Sequence, residues 1–412
     1  MNAKRTLDGL VHPRVQLFSE SWSAYQIWGC AGLILAILQS LVLAARSHLY
    51  LPMVLAIVIC AVLTFVAVIM VTKVIVGKEL IIYLHHEIAV MLVTAILLWW
   101  LRQPVLAYLD VTILGIGTFL VCGRLGCLMV GCCHGRPHRW GINYRQVHAE
   151  AGFPPHLVGV RLFPIQIVES VYVFCIVVAG TVIFSRSSPG EAIAWYVITY
   201  DIGRFCIEFR RGDTARPYFY GFSEAQWISL FLILAALGGE LSGLLVFHPW
   251  HAVAAVVLVI SMLVITLGRW FQRGSHQLFH ARHILELARA IDQASDLSSS
   301  RLGHETPGVV CTSLGVQITA GRIDSGGMSI YHYGFSYQMR LIDDRTARSI
   351  AGLVSQLKHP SSRSEIVRRN GGTLHLLVYP IASAQTLHST SLDDTDKNSA
   401  MEVRVIAAVS AS

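Results

Sequence analysis

The chain has 412 residues, of which 54% are hydrophobic and only 14% charged; soluble globular chains carry about 25% charged residues, so an ordinary cytosolic protein is excluded. Apolar windows of about 20 residues recur over the first two-thirds, each long enough to cross a hydrocarbon core about 30 Å thick at 1.5 Å per residue. The net charge of +7, from 32 Lys and Arg against 25 Asp and Glu, does not mark a nucleic-acid partner, because the basic residues lie between apolar spans rather than in one patch.

A polar segment over 1–22 precedes the first apolar run, which extends from near Ser23 to about Ala45. That run is longer than a signal-peptide core and is expected to stay in the mature chain. Eight spans are read, at about 24–45, 51–76, 84–101, 105–123, 164–184, 190–209, 225–247 and 251–270. Helices are expected, since only helices or closed barrels satisfy backbone groups in lipid, and the runs lack the short alternating pattern of barrel strands. Cys30, Cys60, Cys175 and Cys206 fall inside apolar spans, where cysteine acts as a small hydrophobe. No disulfide framework is indicated.

After Arg273 the composition turns polar. A helical stretch near His280–Asp292 runs into the Ser-rich Asp296–Arg301, which reads as a linker. Strands are predicted at Val309–Thr319, Thr373–Ile381 and Met401–Val409, with an amphipathic helix at Arg345–Lys358. The expected fold is an all-α polytopic membrane protein of about seven to eight transmembrane helices with a small C-terminal α/β accessory region. Its expected divisions are 1–22, 23–273, 274–308 as linker and 309–412, the last without a legible role.

Charged groups at membrane depth cost about 2.5–3.5 kcal/mol each on insertion scales, so they persist where they pair or act. At about 100° per residue, Tyr200, Arg204, Glu208 and Arg211 fall within an arc of roughly 80° on one helical face. An Arg204–Glu208 pair at i,i+4 can neutralise itself; two arginines against one glutamate also leave positive charge, which suits a phosphate. A second cluster, Gly123-Arg124-Leu-Gly126-Cys127-Leu-Met-Val-Gly131-Cys132-Cys133-His134-Gly135-Arg136, closes the fourth span. Its glycines let backbones approach or let the helix unwind beside Arg124 into an anion cradle, whereas a snorkelling Arg124 is the structural alternative. The third cluster comprises His85-His86-Glu87 with Gln166 and Glu169, one turn apart at the start of the fifth span. Ser223-x-x-Gln226 fits a helix capping box.

In order, these pieces resemble the prolipoprotein diacylglyceryl transferase family. That family carries a histidine and paired glycines in its third span, then a G-R-x-G-N-x-x-N-G-E-x-x-G-R signature. A P-x-Q-x-x-E element, a Y-x-x-x-R-x-x-x-E-x-x-R helix and an S-x-x-Q helix start follow. Here His85 stands at the histidine. Gly123, Arg124 and Gly126 open the signature, and Gly131, Gly135 and Arg136 close it. Pro164, Gln166 and Glu169 match the next element; Tyr200, Arg204, Glu208 and Arg211 match the helix, and Ser223 and Gln226 follow. The likeness spans roughly Tyr83–Leu245. It departs where Cys127 and Val130 replace the signature asparagines, Cys132 replaces its glutamate, and His86 and Glu87 replace the glycines after the histidine.

The resemblance implies transfer of a diacylglyceryl group from phosphatidylglycerol, or another anionic phospholipid, to the lipobox cysteine of a prolipoprotein at the bacterial inner membrane. No cofactor is expected. The thiol must ionise, although a free cysteine has a pKa near 8.5, and the departing phosphate gains charge that fixed cations stabilise. Arg124 and Arg204 are assigned to the phosphate, with Arg211 at the rim, Glu208 holding Arg204 and His85 as base. Tyr200, Gln166, Glu169, Gly123, Gly126 and Arg136 are expected around the substrate. Two other readings stand beside this one. Cys122, Cys127, Cys132, Cys133 and His134 offer soft donors for a metal or for thiol chemistry, although their spacing is not that of familiar zinc modules. A lipid-binding paralogue without turnover is the other, suggested by the cysteine replacements. Counting basic residues in the connections puts both termini in the cytoplasm, while the resemblance puts the signature loop on the opposite face.

Overall fold

The computed structural model describes residues 8–17, 19–77, 82–213, 217–271, 278, 281–300, 308–325, 328–337, 342, 344–359, 362–368 and 373–380. A short antiparallel hairpin, β1 (Arg14–Leu17) with β2 (Glu20–Ser23), leads directly into α1 (Ala24–Arg46). Then come α2 (Leu51–Val76), which has a proline in its first turn and stops at Gly77 in the left-handed region, α3 (Tyr83–Trp100) and α4 (Val105–Val130). A long connection holds β3 (Pro137–Asn143), the short α5 (Gln146–Glu150) and β4 (Arg161–Leu162), which pairs antiparallel with β3. The chain goes on through α6 (Ile165–Phe184), α7 (Glu191–Glu208), a small hairpin of β5 (Tyr218–Phe219) and β6 (Phe222–Ser223), α8 (Glu224–Leu241) and α9 (Pro249–Phe271).

Seven of these helices, α1 to α4, α6, α8 and α9, are long and apolar enough to cross a membrane. They make this a multi-pass membrane protein. Helix α7 has a similar length, 18 residues, but carries Glu191, Asp201, Arg204 and Glu208, so its polar face must be enclosed by its neighbours. Ile34, Leu38, Ile59, Leu63, Leu92, Ile96, Val253 and Leu263 point outward. Such broad apolar faces are rare on monomers in water and suit contact with acyl chains. Trp99, Trp100 and Trp270, at helix ends, are exposed as well, as expected of aromatic residues near headgroups.

The fourth span does not end near residue 123, and no unwound backbone cradles Arg124. Helix α4 runs unbroken through Gly123, Arg124 and Gly126 and stops only at Gly131, whose φ of 83° caps it. The reason is packing: a Cβ at Gly126 would stand 3.2 Å from Trp28 Cβ and 3.3 Å from Tyr25 Cα, so that glycine lets α1 lie against α4. Capping supplies a second tie, between α4 and α7. Buried Asp110 of α4 accepts from the backbone N–H of Gly190 at 2.7 Å and of Ile193 at 2.8 Å, satisfying donors that a helix start leaves open.

Beyond the membrane helices, α10 (Ala281–Ser300), β7 (Val310–Cys311), β8 (Val316–Ser325), β9 (Met328–Tyr337), α11 (Asp344–Lys358), β10 (Ser362–Arg368) and β11 (Leu374–Pro380) complete the chain. The strands form one antiparallel sheet in the order β10-β11-β9-β8-β7. The strand expected over 309–319 is divided by a turn in which Gly315, at φ 77°, donates to the Thr312 carbonyl at 2.9 Å. The Ser-rich stretch at 296–300 forms the end of α10, and the strand expected at 401–409 lies outside the described residues. Leu287 and Ile291 of α10 and Val354 and Leu357 of α11 share one apolar core with Ile318, Phe335 and Leu376 of the sheet. Leu128, Ile142, Tyr144 and Leu162, around the end of α4, belong to that same core. The C-terminal region therefore packs directly on the connection that carries Gly131–Arg136.

Candidate functional site: a buried arginine cluster

Glu169, in the first turns of α6, is fully buried and draws three guanidinium groups from three separate segments. Arg124 of α4 reaches its Oε1 at 2.9 Å, Arg204 of α7 stands 4.0 Å from the same oxygen, and Arg211 stands 3.8 Å from Oε2. Tyr200, one turn before Arg204, donates its hydroxyl to Glu169 Oε1 at 3.2 Å. Glu208 binds Arg204 Nη2 at 2.9 Å across one turn. Sequence spacing thus brings Tyr200, Arg204 and Glu208 to one face, as expected.

Arg211 departs from that expectation twice. Helix α7 ends at Glu208, so Arg211 does not continue the helical stripe, and its side chain is 1% exposed rather than at a rim. It arrives by another route. Gly135 and Arg211 form an isolated antiparallel bridge, Arg136 N–H donates to the Arg210 carbonyl at 3.0 Å, and Gly212 N–H donates to the His134 carbonyl at 3.0 Å. A Cβ at Gly135 would sit 2.5 Å from the Phe163 carbonyl oxygen, which explains a glycine there. Arg136 Nε donates to the Arg211 carbonyl at 3.2 Å, and Gln166 Nε2 to the Cys132 carbonyl at 2.8 Å. Both residues hold the loop in place.

The positive excess inferred from two arginines and one glutamate is not borne out. Asp213 holds Arg211 through Nε at 2.8 Å and Nη2 at 3.2 Å, so Glu169, Glu208 and Asp213 balance the three arginines. What distinguishes the cluster is its unused donors. Arg124 Nε, Arg204 Nη1 and Arg211 Nη1 are buried without a hydrogen-bond partner, as are Glu169 Oε2 and Gln166 Oε1. Unmet buried polar groups cost about 1–3 kcal/mol each, and five such atoms gather here.

The remaining expected residues lie around this centre. His85 pairs with Glu224 at 2.9 Å and is about one-third exposed; among the described contacts it meets none of the arginines. Ser223 and Gln226 form the expected capping box, at 3.3 and 3.0 Å. Gly123 faces open space. All nine cysteines are unpaired, and the sulfur atoms of Cys127, Cys132 and Cys133 lie within 4.8 Å of one another, a group that does not include His134. His134 instead sets Nδ1 against the Gly135 carbonyl at 2.9 Å.

An apolar cavity of about 390 Å³ opens between α1, α2, α3 and α4, lined by Leu33, Val58, Phe65, Phe119, Tyr83 and His86 among others. Its volume is in the range of ligand pockets. The Tyr83 ring packs edge-on to Tyr200 at 6.3 Å, so two aromatic rings separate this cavity from Glu169. Sequence reasoning missed Glu224 and Asp213 as partners of His85 and Arg211. The signal for Glu224 was its place beside the capping Ser223; Asp213 follows Arg211 by two residues, a spacing no regular element makes meaningful.

The model of the family described as prolipoprotein diacylglyceryl transferase matches residues 21–241 of this chain. The chain belongs to that family. Among proteins similar to it is the phosphatidylglycerol--prolipoprotein diacylglyceryl transferase of Clostridium tetani (strain Massachusetts / E88), 33% identical over 135 residues, or 32% of this chain and 52% of that protein. The second transferase of that name from Clostridium perfringens (strain 13 / Type A) is 31% identical over 140 residues, 33% of this chain and 52% of its own. The transferase of Dehalococcoides mccartyi (strain ATCC BAA-2266 / KCTC 15142 / 195) is 29% identical over 130 residues, 31% of this chain and 48% of its own. The chain spans about half the length of these relatives. The family match covers the arginine cluster and the helices around the cavity and stops at residue 241, so α9 and the C-terminal sheet lie beyond it.

Proposed function

We propose that this protein transfers a diacylglyceryl group from phosphatidylglycerol to the lipobox cysteine thiol of a prolipoprotein, in the inner membrane of a bacterium. The observation that carries the reading is the convergence of Arg124, Arg204 and Arg211 on Glu169, with a donor on each left unsatisfied. Arginine forks suit phosphate, and the neighbouring apolar cavity offers room for acyl chain. In the reaction the acceptor sulfur attacks the glycerol carbon, the S–C bond forms, the C–O bond to phosphate breaks, and glycerol phosphate leaves. Arg124 and Arg204 bind the phosphate and stabilise the charge that grows on its departing oxygen; Arg211 supports them from within the cluster. Glu208 fixes Arg204, while Tyr200 and Gln166 orient the carboxylate and the loop. His85, held by Glu224, takes the thiol proton.

Residues 23–273 are the transferase body in this reading, and 309–412 an accessory region to whose core α10, within 274–308, contributes Leu287 and Ile291. A second reading, lipid binding without turnover, is favoured by Cys127 and Cys132 at signature positions that carry asparagine and glutamate in the resembled pattern. Expression in a bacterial strain depleted of its own transferase separates the two. Restored growth with diacylglyceryl-modified lipoproteins is expected. Failure to restore either, with the protein verified in the membrane, contradicts the transferase reading.

A further inference from the structure

Three thiols that the transfer chemistry does not use lie beside the arginine cluster. Helix α4 places Cys127 in its last turn, and Gly131 at φ 83° reverses the chain. Cys133 at φ 53° continues the reversal, although a side chain is strained there. The turn folds Cys132 and Cys133 back over Cys127, so a spacing unlike that of familiar zinc modules still gathers the sulfurs. We propose that Cys127, Cys132 and Cys133 form a three-thiolate site for a thiophilic divalent cation of the Zn²⁺ class.

Several features support it. Thiolates about 2.3 Å from one tetrahedral ion stand roughly 3.8 Å apart, and here all three sulfurs are already within 4.8 Å, so small side-chain rotations close the site. Soft sulfur donors select zinc-like ions over Mg²⁺ or Ca²⁺. Three thiolates and one divalent ion leave a single negative charge, and the loop that carries Cys132 and Cys133 is bridged at Gly135 to Arg211, a cationic residue of the neighbouring cluster. Cys127 is buried while Cys132 is exposed, which gives the ion a way in. Gln166, bonded to the Cys132 carbonyl at 2.8 Å, anchors the loop.

The test uses the full chain in detergent micelles, reduced and stripped by a chelator, then exposed to Zn²⁺ with Mg²⁺ as control. One equivalent of retained Zn²⁺ is expected in the wild type and in Cys311→Ser, and its loss is expected in Cys127→Ser and Cys132→Ser. Alkylation mapped by peptide mass gives a readout that needs no variant. With free Zn²⁺ at ten times its dissociation constant, labelling of Cys132 and Cys133 slows by about tenfold, while exposed Cys311 labels at an unchanged rate. Absence of Zn²⁺ retention or protection in the folded wild type overturns the proposal, as does equal retention in the cysteine variants. Binding of Cu⁺ without Zn²⁺ overturns the divalent assignment.

Discussion

Glu169 is the residue on which the arginine cluster turns. Three guanidinium groups share its two oxygens, and its side chain is 1% exposed. Removing one partner from a buried ion network leaves uncompensated charge and costs about 3–5 kcal/mol. Glu169→Gln is therefore expected to lower the stability of the detergent-solubilised protein by about that amount, read as an early unfolding transition; an unchanged midpoint contradicts the shared-carboxylate geometry. Several single-residue roles were legible in the sequence. Arg204 and Glu208 lie one turn apart on a helix, and Ser223-x-x-Gln226 announces its own cap. The meeting of Arg124, Glu169 and Arg211 was not legible from periodicity, because each comes from a different segment and only tertiary packing brings them together. Their order along the chain, matched to a family pattern, was the available signal.

At the scale of elements, the α4–α7 contact is a capping interaction between helices far apart in sequence. Asp110→Ala removes acceptors from the Gly190 and Ile193 N–H groups, and losing a cap costs about 0.5–2 kcal/mol. Unfolding of α7 at lower denaturant or temperature is the expected result, with the arginine cluster loosened as a consequence. Equal stability of the variant contradicts this role. Apolar run length announced the membrane helices, since about 20 residues are needed to span the bilayer. It misjudged the end of α4, where Gly126 serves helix packing rather than a break, and it did not reveal β9 or β10. Strand β10, Ser-Arg-Ser-Glu-Ile-Val-Arg, is an edge strand with mixed polarity, and its pairing with β11 rests on sheet register rather than on a strong local pattern.

For the whole molecule, the C-terminal sheet and the membrane helices meet in one core around Tyr144 and Leu128, residues that flank the loop of Cys132, Cys133 and Arg136 in sequence. His332 of β9 and His375 of β11 share a hydrogen bond at 2.8 Å. Burial, reinforced by His375, pushes the His332 imidazole down to about 4. A depressed histidine stabilises the fold above its unfolded pKa of about 6.5 and loses that contribution as pH falls toward its folded value. Backbone hydrogen exchange in β9 and β11 is expected to quicken, relative to its intrinsic rate, between pH about 6.5 and about 4, and His332→Phe is expected to flatten that response. A wild-type profile with no such change contradicts it. The proposed transfer depends on the two arginines that meet at Glu169. Its most direct test is transfer of labelled diacylglyceryl from phosphatidylglycerol to a lipobox peptide by the wild type, Arg124→Ala and Arg204→Ala, each purified and folded in the same micelles. Turnover by the wild type, with a loss of about 10²–10³ in rate for each variant, is the predicted result. Full rates in both variants, or no transfer by the folded wild type, would contradict it.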